Sequence, residues 1–128
     1  MEAMDTNNNV PFVKISLTIF NESAIQLVSE PIDEDIRNTY DQIDEWIFSA
    51  YSTVNYIDQF HDKFSLEDMT EIKQLLNQLK QSCELIRTRI NQIEQFAKEQ
   101  GMYILSNGEQ RTDQKIHRLV RKVDQLAA

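Results

Sequence analysis

Glycine, proline and cysteine are scarce in this chain of 128 residues. It has two glycines, two prolines and one cysteine. So few turn-forming residues disfavour an all-β fold, and a single thiol excludes both an intramolecular disulfide and a zinc cluster built on cysteines. We expect an α+β protein that is predominantly α, with a disordered N-terminus (1–9) followed by one domain (10–128).

The sequence also lacks a long apolar run and the features of a secretory leader. No apolar run approaches the roughly 18 residues that a membrane-spanning helix needs. The first residues do not follow the order of basic, then apolar, then small side chains that marks a signal peptide. We therefore expect a cytoplasmic protein that makes no contact with a membrane.

Sequence patterns of known catalytic sites are missing as well. Gly101 and Gly108 are the only glycines, and neither lies in a phosphate-binding or dinucleotide-binding pattern. Paired acidic residues on one helix face do not have histidines at metal-ligand spacing beside them. The sequence therefore favours a protein that is not an enzyme and that holds no cofactor or metal.

Acidic residues are in excess and are concentrated in one part of the chain. The net charge is −8; residues 29–68 hold eleven acids against two bases, whereas residues 101–128 hold five bases against three acids. This excess argues against binding to a nucleic-acid backbone, because that affinity comes largely from Lys and Arg. We expect the basic C-terminal segment to neutralise part of the acidic one and the remaining acids to face a basic partner.

The N-terminal part of the domain has the alternation of a half-buried strand. Apolar and polar side chains alternate from Val13 to Ile19, and residues 21–23 are typical of a turn. The short apolar stretch 24–28 can then form a second strand. The pattern predicts a small β-hairpin over residues 10–28.

Two long segments have the period of amphipathic helices. Apolar positions are separated alternately by four and three residues over 36–64 and again over 69–97. They predict helices over 30–64 and 66–100. Because the connection is only a few residues long, we expect an antiparallel helical hairpin of two neighbouring helices.

Local signals mark the ends of these elements. Ser65 can cap the second long helix, with Asp68 at the third position, and Gly101 suits the left-handed conformation that often follows a helix. Residues 102–106 form a possible third strand. The spacing of apolar residues beyond it predicts a C-terminal helix over 110–127.

The first long helix carries more aromatic side chains than one helix face can hold. Its aromatic residues lie beyond both edges of the apolar seam, and they predict a further covering layer. The β-strands, the C-terminal helix or a second copy of the chain can supply that layer. We expect a homodimer in which these flanking residues associate: Trp46, Tyr56, Phe60, Leu75 and Phe96.

The acidic side chains of the same helix are the predicted partner-binding surface. They recur at spacings of three or four residues, which places several of them on one face. The predicted function is a protein–protein interaction module, such as an acidic adaptor, inhibitor, immunity protein or chaperone-like protein, that presents this face to a basic partner. The predicted partner-binding residues are Asp41, Asp44, Glu45, Asp58 and Asp62.

The spacing of Arg111 and His117 provides an enzymatic alternative. These residues, in the stretch RTDQKIH, resemble the arginine–histidine pair of HEPN-type ribonucleases. The resemblance covers seven residues, and the position after the arginine, where that family commonly has a polar residue, is Thr112. It implies a helical dimer that cleaves RNA with Arg111 and His117.

Two further residues have chemistry that depends on burial. His61 occupies a position in the apolar seam, where we expect a buried, hydrogen-bonded side chain. Cys83 lies in the middle of the second seam. We expect it to act as a small apolar residue whose thiol pKa is raised by burial.

Overall fold

A computed structural model describes residues 9–32, 35–101 and 112–128. These ranges contain four α-helices and, within them, no β-strand, so the predicted α+β fold is wrong and the described chain is helical. A 3-10 turn, His61–Lys63, connects the second helix to the third. The helices are α1 (Val10–Ser29), α2 (Ile36–Phe60), α3 (Leu66–Glu99) and α4 (Thr112–Ala127).

Helix α1 replaces the predicted β-hairpin over residues 10–28. The apolar residues of this segment fit both the two-residue period of a strand and the 3.6-residue period of a helix. The segment folds as a helix that buries Val10, Val13, Leu17 and Ala24 along one side. Pro11 lies in the first helical turn, where its missing N–H costs nothing. The packing of these buried side chains against the other helices therefore outweighs the preference of the segment for a strand.

Helix α2 is shorter than predicted at both ends. It begins at Ile36 rather than at residue 30, because the carboxylate of Asp35 accepts a hydrogen bond of 3.2 Å from the N–H of Asn38 and so caps the helix. Its last residue is Phe60, and His61 lies in the 3-10 turn. The predicted buried position of His61 is wrong, since its side chain is 52% exposed.

The predicted ends of α3 are confirmed. The Oγ of Ser65 accepts a hydrogen bond of 3.0 Å from the N–H of Asp68, and Gly101 has a φ of 71° in the left-handed region. The predicted C-terminal helix is present as α4. The possible strand at 102–106 lies outside the described residues. Residues 1–8 of the segment predicted to be disordered, 1–9, lie outside them as well.

The four helices form a bundle in which α2 and α3 lie on one diagonal. Helix α1 packs against α2 and α3, and α4 packs against the same two helices, whereas α2 and α3 approach each other at few positions. The order around the bundle is therefore α1, α2, α4, α3. The two long helices are joined by a short turn, as the predicted helical hairpin requires, but they face each other across the core instead of packing side by side.

Contacts along the helices give their directions. Lys14 and Asn21 of α1 contact Asp68 and Ser82 of α3, so these helices run parallel. Helix α1 runs antiparallel to α2, because Asn9 contacts Tyr56 whereas Phe20 contacts Trp46. It follows that α2 and α3 are antiparallel across the bundle.

The core is built from apolar residues of all four helices. Cys83 is fully buried in it, and burial raises the pKa of its thiol to about 12, which confirms the expectation for this residue. Arg89 is also buried, and its guanidinium donates a hydrogen bond to the carbonyl of Glu30, at the C-terminal end of α1. Among the described helices, none has the length and apolarity needed to cross a bilayer.

Candidate functional site

Two of the five predicted partner-binding acids pair with α4 and are only partly exposed. Asp44 accepts a hydrogen bond of 3.0 Å from Thr112 and lies 3.3 Å from the Nζ of Lys115. Asp58 pairs with the Nζ of Lys122 at 2.6 Å. The basic C-terminal segment thus neutralises part of the acidic helix, as its charge predicted, and α4 runs parallel to α2.

The other three predicted acids are exposed. Asp41 and Glu45 lie one turn apart on α2, and neither forms an ion pair with another described residue. Asp62 lies beyond the end of α2, with its carboxylate 2.9 Å from the Nε2 of His61. Asp41 and Glu45 are therefore the predicted acids that are accessible on α2 itself, and Asp62 is accessible in the turn that follows it.

Helix α1 covers one aromatic flank of α2. Trp46 is 6% exposed; its Nε1 donates a 3.0 Å hydrogen bond to the carbonyl of Phe20, and the two rings meet edge to face with centroids 6.4 Å apart. The hydroxyl of Tyr56 accepts a 2.7 Å hydrogen bond from Asn9 and the Tyr56 ring contacts Phe60. These aromatic residues are therefore packed within a single chain.

The remaining residues of the predicted self-association surface are half-buried. Leu75 and Phe96, both on α3, pack against the core of the same chain. On α2, the aromatic residue that stays open is Phe48, which is 73% exposed. Burial of the predicted surface thus needs no second copy, and self-association through it stays a prediction.

An open groove of about 420 Å³ runs between α1 and α2. Its apolar lining comes from Ile19, Phe20, Leu27 and Trp46. Its acidic lining comes from Glu30 and Glu45, and polar side chains complete it: Ser23, Gln26, Gln42 and Ser49. The sequence predicted the contribution of α2, but it placed the α1 residues in a β-hairpin and so missed this groove.

The outer face of α1 extends the apolar surface of the groove. Phe12, Ile15 and Ile19 are 72%, 59% and 51% exposed and follow one another at helical spacing. The twenty residues of α1 include only two charged side chains, Lys14 and Glu22, and Lys14 pairs with Asp68 and Glu71 of α3. An uncharged strip of large apolar side chains on a solvent-facing helix is characteristic of an interaction surface.

A second open groove, of about 600 Å³, lies between α3 and α4. His117 lines it and is exposed; Arg111, its partner in the ribonuclease hypothesis, lies outside the described residues. Its basic lining comes from Arg87, Arg118 and Arg121 as well as His117, and the other lining residues are Ile90, Asn91, Asp113, Gln114 and Ile116. Because the bundle order is α1, α2, α4, α3, this groove and the α1–α2 groove are on opposite sides.

Across the described ranges, no group of three His, Cys, Asp or Glu side chains is placed to hold a metal ion. Comparison of the chain with profiles of known protein families, with curated proteins and with solved structures found no match.

Proposed function

We propose that this protein is an interaction module that binds a basic amphipathic helix of a partner protein in the α1–α2 groove. The observation that carries the proposal is the combination of an apolar floor, formed by Phe20 and Trp46, with the carboxylates of Glu30 and Glu45. A helix laid in such a groove buries its apolar face on the floor and brings its basic residues to the acids.

The apolar floor supplies the driving force for binding. Ile19 is half-exposed and lies where the groove meets the outer strip of α1. Covering such a side chain removes apolar surface from water, and full burial contributes roughly 1.5–3 kcal/mol per large side chain. Phe12 and Ile15 can add contacts to a partner that extends past the groove toward the start of α1.

The carboxylates select the sign of the partner's charge. Glu30 and Glu45 are both exposed, and Asp41 lies one turn from Glu45 on α2. The contact between Trp46 and Phe20 places Glu45 near the level of residue 21 of α1, so Glu30 lies about 13 Å further along the helix axis. A partner helix with Lys or Arg two turns apart, at i and i+7, spans about 10.5 Å, and the length of these side chains lets both reach the two carboxylates.

A designed peptide provides the direct test of this proposal. The peptide carries Lys at i and i+7 with Leu and Ile between them on one face, and its control replaces both Lys with Glu. We expect the Lys peptide to bind, with an affinity that falls as salt is added, and the Glu peptide to bind far more weakly. Isothermal titration calorimetry measures both.

Matched variants locate the binding site. Replacing Glu30 and Glu45 with Gln should weaken binding by about two- to fivefold for each exposed charge, whereas Glu67→Gln, at an exposed acid on α3, should leave it unchanged. Ile19→Ser should weaken binding, and Leu66→Ser, at an even more exposed apolar position away from the groove, should not. Equal binding by the Glu30→Gln, Glu45→Gln variant and the native chain would reject the proposal.

A second copy of the chain is the competing occupant of the same surface. The outer face of α1 carries a single charge, the exposed Glu22, so two copies can meet along Phe12 and Ile15 with little repulsion between like charges, although one helix offers a strip only about 30 Å long. Sedimentation velocity over a range of concentrations distinguishes the two. The surface would be assigned to self-association if the chain formed a stable dimer that excluded the peptide, and if the substitutions Phe12→Ser and Ile15→Ser dissociated that dimer.

A further inference from the structure

The groove between α3 and α4 has a lining suited to anionic ligands. Three of its residues are arginines, from both helices, and Arg118 and Arg121 form no ion pair with another described residue. Arg87 contacts Glu84 through one guanidinium nitrogen at 3.1 Å. In a chain with eight more acids than bases, this concentration of cations is a local reversal of the net charge.

The positions of these residues bring the guanidinium groups to one groove. On α4, Arg118 and Arg121 are separated by three residues and so lie on one face. Helix α3 runs antiparallel to α4, because Lys73 contacts the carbonyl of Ala128 whereas Lys80 pairs with Asp124. If the same pairing of levels continues along the two helices, Arg87 of α3 lies beside residue 117 of α4. It is then next to Arg118, on the side toward the start of α4.

The donors in this groove match the acceptors of a phosphate group. A guanidinium donates several N–H groups in a planar fork, which fits the oxygens of phosphate better than an ammonium does. Asn91 and Gln114 add side-chain amides, and Ile90 and Ile116 supply an apolar floor. The volume of about 600 Å³ lies within the range of small-molecule sites, roughly 300–1,000 Å³.

We propose that the α3–α4 groove binds the phosphate group of a small phosphate ester through Arg87, Arg118 and Arg121. The ester's uncharged part lies over the isoleucine floor toward the start of α4. A long nucleic-acid backbone fits less well, because its affinity requires many cationic contacts and the chain as a whole is strongly acidic. This site is independent of the α1–α2 groove, so each proposal can fail without the other.

Adenosine monophosphate, adenosine and inorganic phosphate are the probes for this site. In titrations of the full-length chain followed by amide NMR, we expect the nucleotide to shift the signals of residues 87–91 and 113–121. Adenosine should bind at least about tenfold more weakly, because it lacks the group that the arginines recognise. An oligonucleotide with and without a terminal phosphate distinguishes a free ester from a phosphorylated chain end.

Arginine-to-glutamine variants inside and outside the groove separate a specific site from general attraction. Replacing both Arg118 and Arg121 with Gln should weaken nucleotide binding by about tenfold or more. The control Arg37→Gln removes an exposed cation from α2 and should keep native affinity. The proposal would be overturned if the nucleotide did not bind, if adenosine bound equally well, or if the Arg37→Gln control lost as much affinity. The amide spectra of the variants verify that they are folded.

Discussion

The indole Nε1 of Trp46 donates a 3.0 Å hydrogen bond to the carbonyl oxygen of Phe20, and this contact joins α2 to α1 at the floor of the candidate groove. The two rings also meet edge to face. The contact both buries the only tryptophan of the chain and sets how closely the two helices approach. It therefore couples the stability of the bundle to the shape of the proposed binding surface.

Trp46→Phe should lower the free energy of unfolding by about 1–3 kcal/mol. The substitution removes a hydrogen-bond donor and part of a buried ring, and both changes destabilise a core. Phe48→Leu is the matched control, because Phe48 is an aromatic residue of the same helix that is 73% exposed, and it should change stability by less than about 0.5 kcal/mol. Urea unfolding measures both; equal losses would contradict the packing described.

The ion pairs of Lys14 should make stability depend on pH at both extremes. Its hydrogen bonds to Glu71 and Asp68 raise the pKa of Lys14 above 10.5, and the bond from Lys14 lowers the pKa of Asp68 below 3.8. Stabilisation through a raised lysine pKa is complete below 10.5 and is lost as pH rises through the folded pKa. Stabilisation through a lowered aspartate pKa is present above 3.8 and is lost as pH falls through the folded pKa.

Lys14→Met isolates this contribution, because methionine keeps an apolar stem but no charge. The stability difference between the native chain and the variant should be constant from about pH 5 to about pH 9 and should shrink outside that window. Urea unfolding of both proteins at a series of pH values measures it. A difference that does not change down to about pH 2 would show that the ion pairs contribute nothing.

Cys83 should react with thiol reagents only when the bundle opens. Its side chain is fully buried and its thiol pKa is raised to about 12 by burial, so the native protein presents little thiolate at neutral pH. We expect labelling at pH 8 to be slower than in urea by about three orders of magnitude or more. The control, Cys83→Ala with Ser52→Cys, places the thiol at an exposed site and should react at once; equally fast labelling of native Cys83 would contradict the core described.

The helices with strong local signals were predictable from the sequence, and α1 was not. In α3 the apolar period, the Ser65 cap and Gly101 all point to the same element. In residues 10–28 the apolar residues satisfy both the strand and the helix period. Asn21 suggested a turn, yet it lies within α1 and accepts a 2.8 Å hydrogen bond from Ser82 of α3, a contact that depends on the tertiary structure.

The arrangement of the helices could not be read from their patterns. An apolar seam shows which side of a helix faces inward, but not which helix it meets. The short connection correctly indicated a helical hairpin of α2 and α3, but it could not show that these helices lie diagonally across the bundle, with most of their contacts to α1 and α4. The excess of aromatic residues correctly predicted that a further layer covers α2. Only the structure showed that a helix from the N-terminal segment, α1, supplies this layer.

The candidate sites were predictable only in part, because the sequence pattern of one helix does not show which residues of other helices lie beside it. The acidic pattern of α2 predicted a surface that includes Asp41 and Glu45, which are exposed, but it could not show that Asp44 and Asp58 pair with α4. The groove also needs Glu30, which follows α1. The arginine groove combines residues more than 25 positions apart in the sequence, and only the antiparallel packing of α3 and α4 brings them together.

Amide NMR of the isotope-labelled chain, with and without the basic amphipathic peptide, tests the central claim most directly. We expect helical chemical shifts throughout residues 10–29 and peptide-induced changes confined to residues 12–30 and 41–49, with the indole N–H of Trp46 among them. Extended-strand shifts over residues 13–28, or peptide-induced changes only on α3 and α4, would contradict the account.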